Sequence, residues 1–348
     1  MVDELNPTET MKIRNLDKVV LDGLDFLAEV QDNNAMPDAN LEFKMPLLVG
    51  SGLAINTLRI MYGDRSAVTA TESNYQTEFK KWKGIDGIVI ASASGGKHAP
   101  GLAAWAGPLG IPTVLITCNP ITDAAKYVNK TIVIPSPSMN ARDKIKNPNA
   151  EPEPLTYNFA TYVGMMMAKS GENARAIKKY IQNEVNPVLE RFGRLNDYEA
   201  FFGVVPNSLG LLAERGIVKF QELFSQQYGV DFCAEDDSKH AKTLVPTLES
   251  KQIQINPETG APIEYKKELF LNFGGVKPAY GPENQRLNIP LPNDVDYATA
   301  TSILYYVVGK IQESHPQMFK LNCAGYTKEQ TKMFGKQINI IQDFHYHK

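Results

Sequence analysis

The sequence predicts an α/β protein made of two layered units, each a parallel sheet between helices. Three observations carry that prediction. First, short continuous apolar runs recur with helical stretches between them, in KMPLLVGSGLA, GIDGIVIASASGG, IPTVLITCNP and KTIVIPSP. Runs of this kind mark strands buried on both faces, as in a parallel sheet covered by helices. Second, the pattern restarts in the second half with YEAFFGVV, VDFCAED and ELFLNF. Third, the chain has 348 residues, 43% of them apolar and 22% charged, which is enough for two units with buried cores.

The elements follow in order. Ile13, Leu16, Val20, Leu24 and Leu27 stand at helical spacing, and DNNAMPDAN ends that helix. KMPLLVGSGLA is a strand entering a glycine-rich turn, and RSAVTATESNY reads as the next strand. GIDGIVIASASGG repeats the strand-and-turn event, and a helix is expected around Gly101–Gly110. The polar, proline-rich residues 136–155 read as a loop. One long helix is expected from about Thr156 to Val188, with Met165, Met166 and Met167 in a core or interface. In the second half, ERGIVKFQELFSQQYG is a helix and YATATSILYYVVGKIQES an amphipathic helix. Residues 250–268 and 276–295 read as irregular insertions. The expected division is an N-terminal helical segment at 1–40, a first unit at 41–150, a helical connector at 151–195, and a second unit with its tail at 196–348.

Composition excludes several functions. The net charge is −3 and there is no long basic run, so nucleic acid is not an expected partner. No apolar stretch approaches the ~18 residues of a membrane span. The polar, acidic start MVDELNPTET is not a secretory signal. Cys118, Cys233 and Cys323 are far apart and odd in number, which disfavours a disulfide framework and fits a reducing, cytoplasmic compartment. There is no GxxxxGK[ST] loop, no GxGxxG loop with its acidic partner and no GxSxG elbow. No HExxH or paired Cys/His cluster suggests a metal, and no organic cofactor is expected.

Two turns suit an anion. Val49-Gly50-Ser51-Gly52 and Ser92-Ala93-Ser94-Gly95-Gly96-Lys97-His98 each follow a strand and precede a helix. Such turns expose backbone N–H groups and hydroxyls at the carboxyl edge of a parallel sheet. Lys97 adds a point charge suited to phosphate. Thr117, ending a later strand, lies at the same edge, and Glu72 lies after the second strand. Tight turns that simply need glycine are the alternative reading.

The pairing of GSG with SASG, followed by GIPTVLITCNP, resembles the sugar isomerase (SIS) family. The resemblance implies two flavodoxin-like, three-layer αβα SIS subdomains with parallel sheets, and binding of a phosphorylated sugar. The family's second turn is usually SxSGxT; both serines are here, and Lys97 stands where the threonine would be. Glu153-Pro154-Leu155-Thr156-Tyr157-Asn158 before an apolar helix resembles the joint between two such domains in the isomerase domain of glucosamine-6-phosphate synthase. The likeness spans about residues 45–325 and extends to phosphoglucose/phosphomannose isomerases.

For catalysis, the resemblance implies a glutamate base on the first helix of the second domain, a ring-opening histidine after it and a lysine near the C-terminus. Here Glu222, His240 and Lys320 match, with Lys328 a rival to Lys320. The alternatives are an exposed Lys219–Glu222 pair, a solvated loop histidine and a surface lysine. Ser51, Ser92, Ser94, Gly95 and Lys97 would hold phosphate, and Glu72 and Thr117 would reach sugar hydroxyls. The expected reaction is aldose–ketose isomerisation of a hexose 6-phosphate through a cis-enediol. A deglycase that releases amine and a non-catalytic phosphosugar sensor remain the other readings. The resemblance also implies a homodimer with sites at the subunit interface.

Overall fold

A computed structural model describes residues 15–63, 66–96, 98–137, 155–224, 228–241, 267–276 and 285–315, with the side chains of 155–158 and 239–241 outside the description. The first unit comprises β1 (Pro46–Val49), α2 (Leu53–Tyr62), β2 (Val68–Ala70), α3 (Tyr75–Lys81), β3 (Gly87–Ala91), α4 (Ala99–Ala106), β4 (Thr113–Thr117) and β5 (Lys130–Val133). Helix α1 (Leu16–Asp32) precedes it. Its strands lie in the order β2-β1-β3-β4-β5, all parallel, with Leu48 opposite Thr69 and Val89. Both faces of β1 and β3 are buried, as the apolar runs require. One face packs on α2 through Leu48, Val89, Leu58 and Tyr62, the other on α4 through Val49, Ile88 and Leu102.

Three helices join the units: α5 (Leu155–Ser170), α6 (Ala174–Tyr180) and α7 (Asn186–Phe192), the last two continuous through a π turn at 181–185. The single helix expected from 156 to 188 does not form. Gly171 takes φ +76° and returns its N–H to Met167 O at 2.8 Å, closing α5. Asn173 then caps α6 by accepting from Ala176 N at 3.0 Å. The methionines are buried as expected: Met165 belongs to the core of the first sheet, while Met166 and Met167 belong to the core of the second unit.

The second unit contains β6 (Ala200–Val205), α8 (Leu211–Phe224), β7 (Gly229–Ala234), α9 (Glu235–Ala241), β8 (Glu268–Phe273), β9 (Arg286–Ile289) and α10 (Tyr297–Ser314). Its four described strands, in the order β7-β6-β8-β9, repeat the order of the first sheet's β2-β1-β3-β4, again all parallel. Strand β9 lies inside a segment read as irregular. It has four residues and sits at the end of the described sheet, so its pattern alternates where the central strands are continuous.

Helix α10 is the largest departure from expectation. It is buried almost all round, not amphipathic, because α1, α5 and α8 all pack on it. Its apparent polar face is hydroxyls hidden inside the helix: Ser302 Oγ donates to Ala298 O at 2.8 Å. Its start is held by Asp296, which accepts from Tyr297 N at 2.7 Å, and by the Glu172 carboxylate, which accepts from Ala298 N and Thr299 N. Among the described residues, no helix is long and apolar enough to cross a membrane.

Candidate functional site

In a doubly wound sheet, ligands bind where adjacent connections leave to opposite faces, at the carboxyl ends of the strands. In the first sheet that crevice lies between β1 and β3. The Gly50–Gly52 turn follows β1 and the Ser92–Gly96 turn follows β3, so the two anion turns flank it. Gly50 is there because a Cβ would press on the Ile55 amide at 2.9 Å, and Gly52 because its φ is +51°. Ser51 is exposed between them.

The serine turn is fixed from behind. Gly95 N–H donates to Ser92 O at 3.2 Å, and Ser94 Oγ accepts from Gly96 N at 3.3 Å. Asn119 Nδ2 donates to Ser94 O at 3.0 Å, while Thr122 Oγ1 makes a short bond to Gly95 O. Gly95 has φ +65°, and a Cβ there would strike Thr122 at 2.7 Å. Ser94 remains exposed and Ser92 half-buried. Asn119 and Thr122 were passed over in the sequence; the polar CNPIT turn directly after an apolar strand was the available signal.

Thr117 has a different place from that expected. It is fully buried; its hydroxyl donates to Ala93 O at 2.9 Å and accepts from Asn119 N at 3.1 Å. It braces the serine turn. Glu72 is half-buried in the turn after β2, where Asn74 Oδ1 accepts from Thr71 N at 2.8 Å. His240 falls on the short helix α9, not in a loop, and its side chain is outside the described residues. Lys97 and Lys320 also lie outside them.

The other half of the site is α8. Glu222 is 43% exposed, and its Oε2 takes a short bond from Lys219 Nζ. Lys219 is only 2% exposed, so the pair is not the solvated surface bridge that its spacing allowed. Its ammonium also lies over the Tyr305 ring, 4.9 Å from the centroid. Burial works against the charge, but the Glu222 carboxylate, then Tyr305, outweigh it and hold Lys219 above the ordinary lysine value. One turn earlier, Arg215 is fully buried, and its Nη2 bonds Thr57 Oγ1 on α2.

Tyr162, on α5, lies between the two halves. Burial first, then the Glu222 carboxylate, raise its phenol above the ordinary tyrosine value; Tyr305 and Cys118 act the same way and Arg215 opposes them. Cys118 in turn donates its thiol to Ala93 O at 2.9 Å, inside the serine turn. Tyr162 thus feels both Glu222 and a residue bonded to the serine turn. Its place in an apolar stretch, TYVGMMMA, gave no sign of this.

The turn after β8 is the second sheet's counterpart of the serine turn. Leu291 and Pro206 pack over Gly274, where a Cβ would meet them at 3.0 and 3.1 Å. Among the described residues, no group of three or more His, Cys, Asp or Glu side chains is placed to hold a metal ion.

The molecule is therefore a double αβα protein. No protein-family model matches the sequence, and no curated protein is similar to it in sequence. Solved structures share the fold. Tagatose-6-phosphate ketose/aldose isomerase from Escherichia coli superposes with a TM-score of 0.52 at 12% identity, over 86% of this chain and 90% of that one. Glucosamine-6-phosphate deaminase from Thermotoga maritima gives a TM-score of 0.50 at 12% identity, over 86% of this chain and 93% of that one. The two-subdomain SIS-type fold implied by the sequence motifs is the fold of this chain.

Proposed function

We propose that this protein is a cytoplasmic enzyme that processes phosphosugars, and that its reaction is aldose–ketose isomerisation of a hexose 6-phosphate. The observation that supports the reading is that α2, which begins at the Ser51 turn, is bonded to α8, which carries Glu222, through Thr57–Arg215 and Asn56–Leu211. In this reading, Ser51, Ser92 and Ser94, the amides at Gly95 and Gly96, and Lys97 hold the phosphate. Glu72 binds a sugar hydroxyl, and Thr117 holds the turn in shape. His240 assists ring opening, acting across a homodimer interface, and Lys320 lies against the developing oxyanion.

The chemistry is a proton transfer. The Glu222 carboxylate takes the C2 proton of the open-chain aldose. The C–H electron pair forms the C1–C2 double bond, and the carbonyl oxygen takes a proton, giving the cis-enediol. Glu222 then returns its proton to C1 while the O2 hydroxyl loses its own, leaving the ketose. Lys219 fixes the carboxylate and offsets the negative charge that builds up in this step. The sugar carbonyl acidifies the C–H bond, so the mechanism calls for no metal or organic cofactor.

A second reading is release of amine from a hexosamine 6-phosphate, supported by the fold shared with the deaminase. Both are tested by incubating the protein in D2O with a panel of hexose and hexosamine 6-phosphates and following the NMR spectrum. Deuterium at C2 of an aldose or C1 of a ketose supports isomerisation. New amine moves the reaction to deamination. Binding without exchange favours a sensor, and neither binding nor exchange overturns the phosphosugar reading.

A further inference from the structure

We propose a second, oxyanion-binding site in the groove between the two units, separate from the serine turn. The groove has a volume of about 410 Å³, and its lining includes Arg59, Ile60, Gly63, Thr69, Leu211 and Tyr297. That is ample for a small metabolite. Arg59, Ile60 and Gly63 belong to the far end of α2 and its cap, about 15 Å along the helix from the Ser51 turn at ~1.5 Å per residue.

Three observations, at the groove and just behind it, favour an oxyanion. Arg59 engages Glu214 through one nitrogen, Nη1, at 2.7 Å, and the two side chains are 40% and 42% exposed. A pair that open to solvent is readily exchanged for a better partner. Leu211 N–H, at the start of the 14-residue helix α8, has only a long 3.4 Å bond to the Tyr297 phenol oxygen. Arg215, one turn further along α8, is fully buried, and its Nε and Nη1 have no acceptor. Its charge reaches Tyr297, which lines the groove. The Arg59 guanidinium is held there by the Glu214 carboxylate. That carboxylate occupies the place an external oxyanion would take.

The ligand chemistry is phosphate, free or as a compact monoester. Its oxygens would bridge Arg59 and the Leu211 amide, displacing Glu214, while Ile60 and Leu211 contact the ester's carbon body. Arg59 and Asn56 both bond Glu214, so filling the groove also loosens the tie between α2 and α8.

The test is calorimetric titration of the full chain with inorganic phosphate, and separately with glycerol 3-phosphate, in a phosphate-free buffer. The wild type should bind at two sites. S92A/S94A should keep one of them, and Arg59→Met on that background should weaken it at least tenfold. Glu214→Gln removes the competing carboxylate and should tighten the same site several-fold, a gain that misfolding cannot mimic. Tighter binding of glycerol 3-phosphate identifies an ester as ligand, and equal or weaker binding identifies the free ion. One site in the wild type, lost in S92A/S94A and unmoved by Arg59→Met and Glu214→Gln, overturns the groove site and leaves the proposed function standing. One site lost with Arg59→Met and kept in S92A/S94A supports the groove and contradicts the serine turn's role. No binding at all overturns both.

Discussion

Lys219 shows how one residue changes meaning between sequence and structure. Three positions before Glu222, it fits an exposed helix pair worth a few tenths of a kcal/mol. In the fold it is 2% exposed, lies over the Tyr305 ring and is bonded to the candidate base. Lys219→Met keeps the stem's packing and removes a buried charge. Stability in urea should change by less than about 1 kcal/mol, since the Glu222 carboxylate left behind is 43% exposed and water takes up its charge. The isomerisation rate should still fall about a hundredfold. A large loss of stability with unchanged turnover would contradict the role given to Lys219. Tyr162 supplies a pH prediction. Its value is raised above 10.0 in the folded protein, which therefore holds the phenolic proton longer than the unfolded chain. The stabilisation is complete below about pH 10 and is lost as pH climbs from there towards the folded value. Tyr180, Tyr198, Tyr228, Tyr297 and Tyr306 are shifted the same way, so the melting temperature should fall as pH rises above 10. Tyr162→Phe should remove part of that slope, and an unchanged slope would show that Tyr162 is not buried as described.

At the scale of elements, two glycines give sharp tests. Gly95→Ala puts a side chain at φ +65° and against Thr122. It should cost about 1–3 kcal/mol and abolish phosphate binding at the serine turn, both measurable by thermal shift with and without ligand. Gly309 lies where α10 crosses α1, and a Cβ there would overlap the Asp17 backbone. Gly309→Ala should cost about 1–3 kcal/mol by overpacking and leave the serine turn's ligand affinity unchanged. The central strands were legible because burial on both faces leaves an unbroken apolar run. Strand β9 was not, because it is short and its burial alternates. The break after α5 was signalled by Gly171 and Asn173, but a long apolar stretch outweighed them. Helix α10 misled because Thr301 and Ser302 look like a polar face and are in fact buried. The serine turn itself, a strand ending in small residues before a helix, was legible in the sequence. The bracing by Asn119 and Thr122, the inward role of Thr117 and the place of Tyr162 depend on contacts between distant segments, which no local pattern encodes.

At the scale of the molecule, the four described strands of the second sheet repeat the order of the first four strands of the first sheet. The second unit supplies α8, which carries Glu222 and is bolted to α2 through Arg215–Thr57, Asn56–Leu211 and Arg59–Glu214. Helix α2 begins at the Ser51 turn, so the α2–α8 contact links that turn to the helix that carries Glu222. The central claim is that these two parts address one ligand. It is tested most directly by deuterium exchange at C1 and C2 of a hexose 6-phosphate in D2O, comparing the wild type with Glu222→Gln. The account predicts exchange by the wild type, and retained binding with exchange reduced at least ~100-fold in the variant. Exchange at an equal rate in both proteins would contradict it.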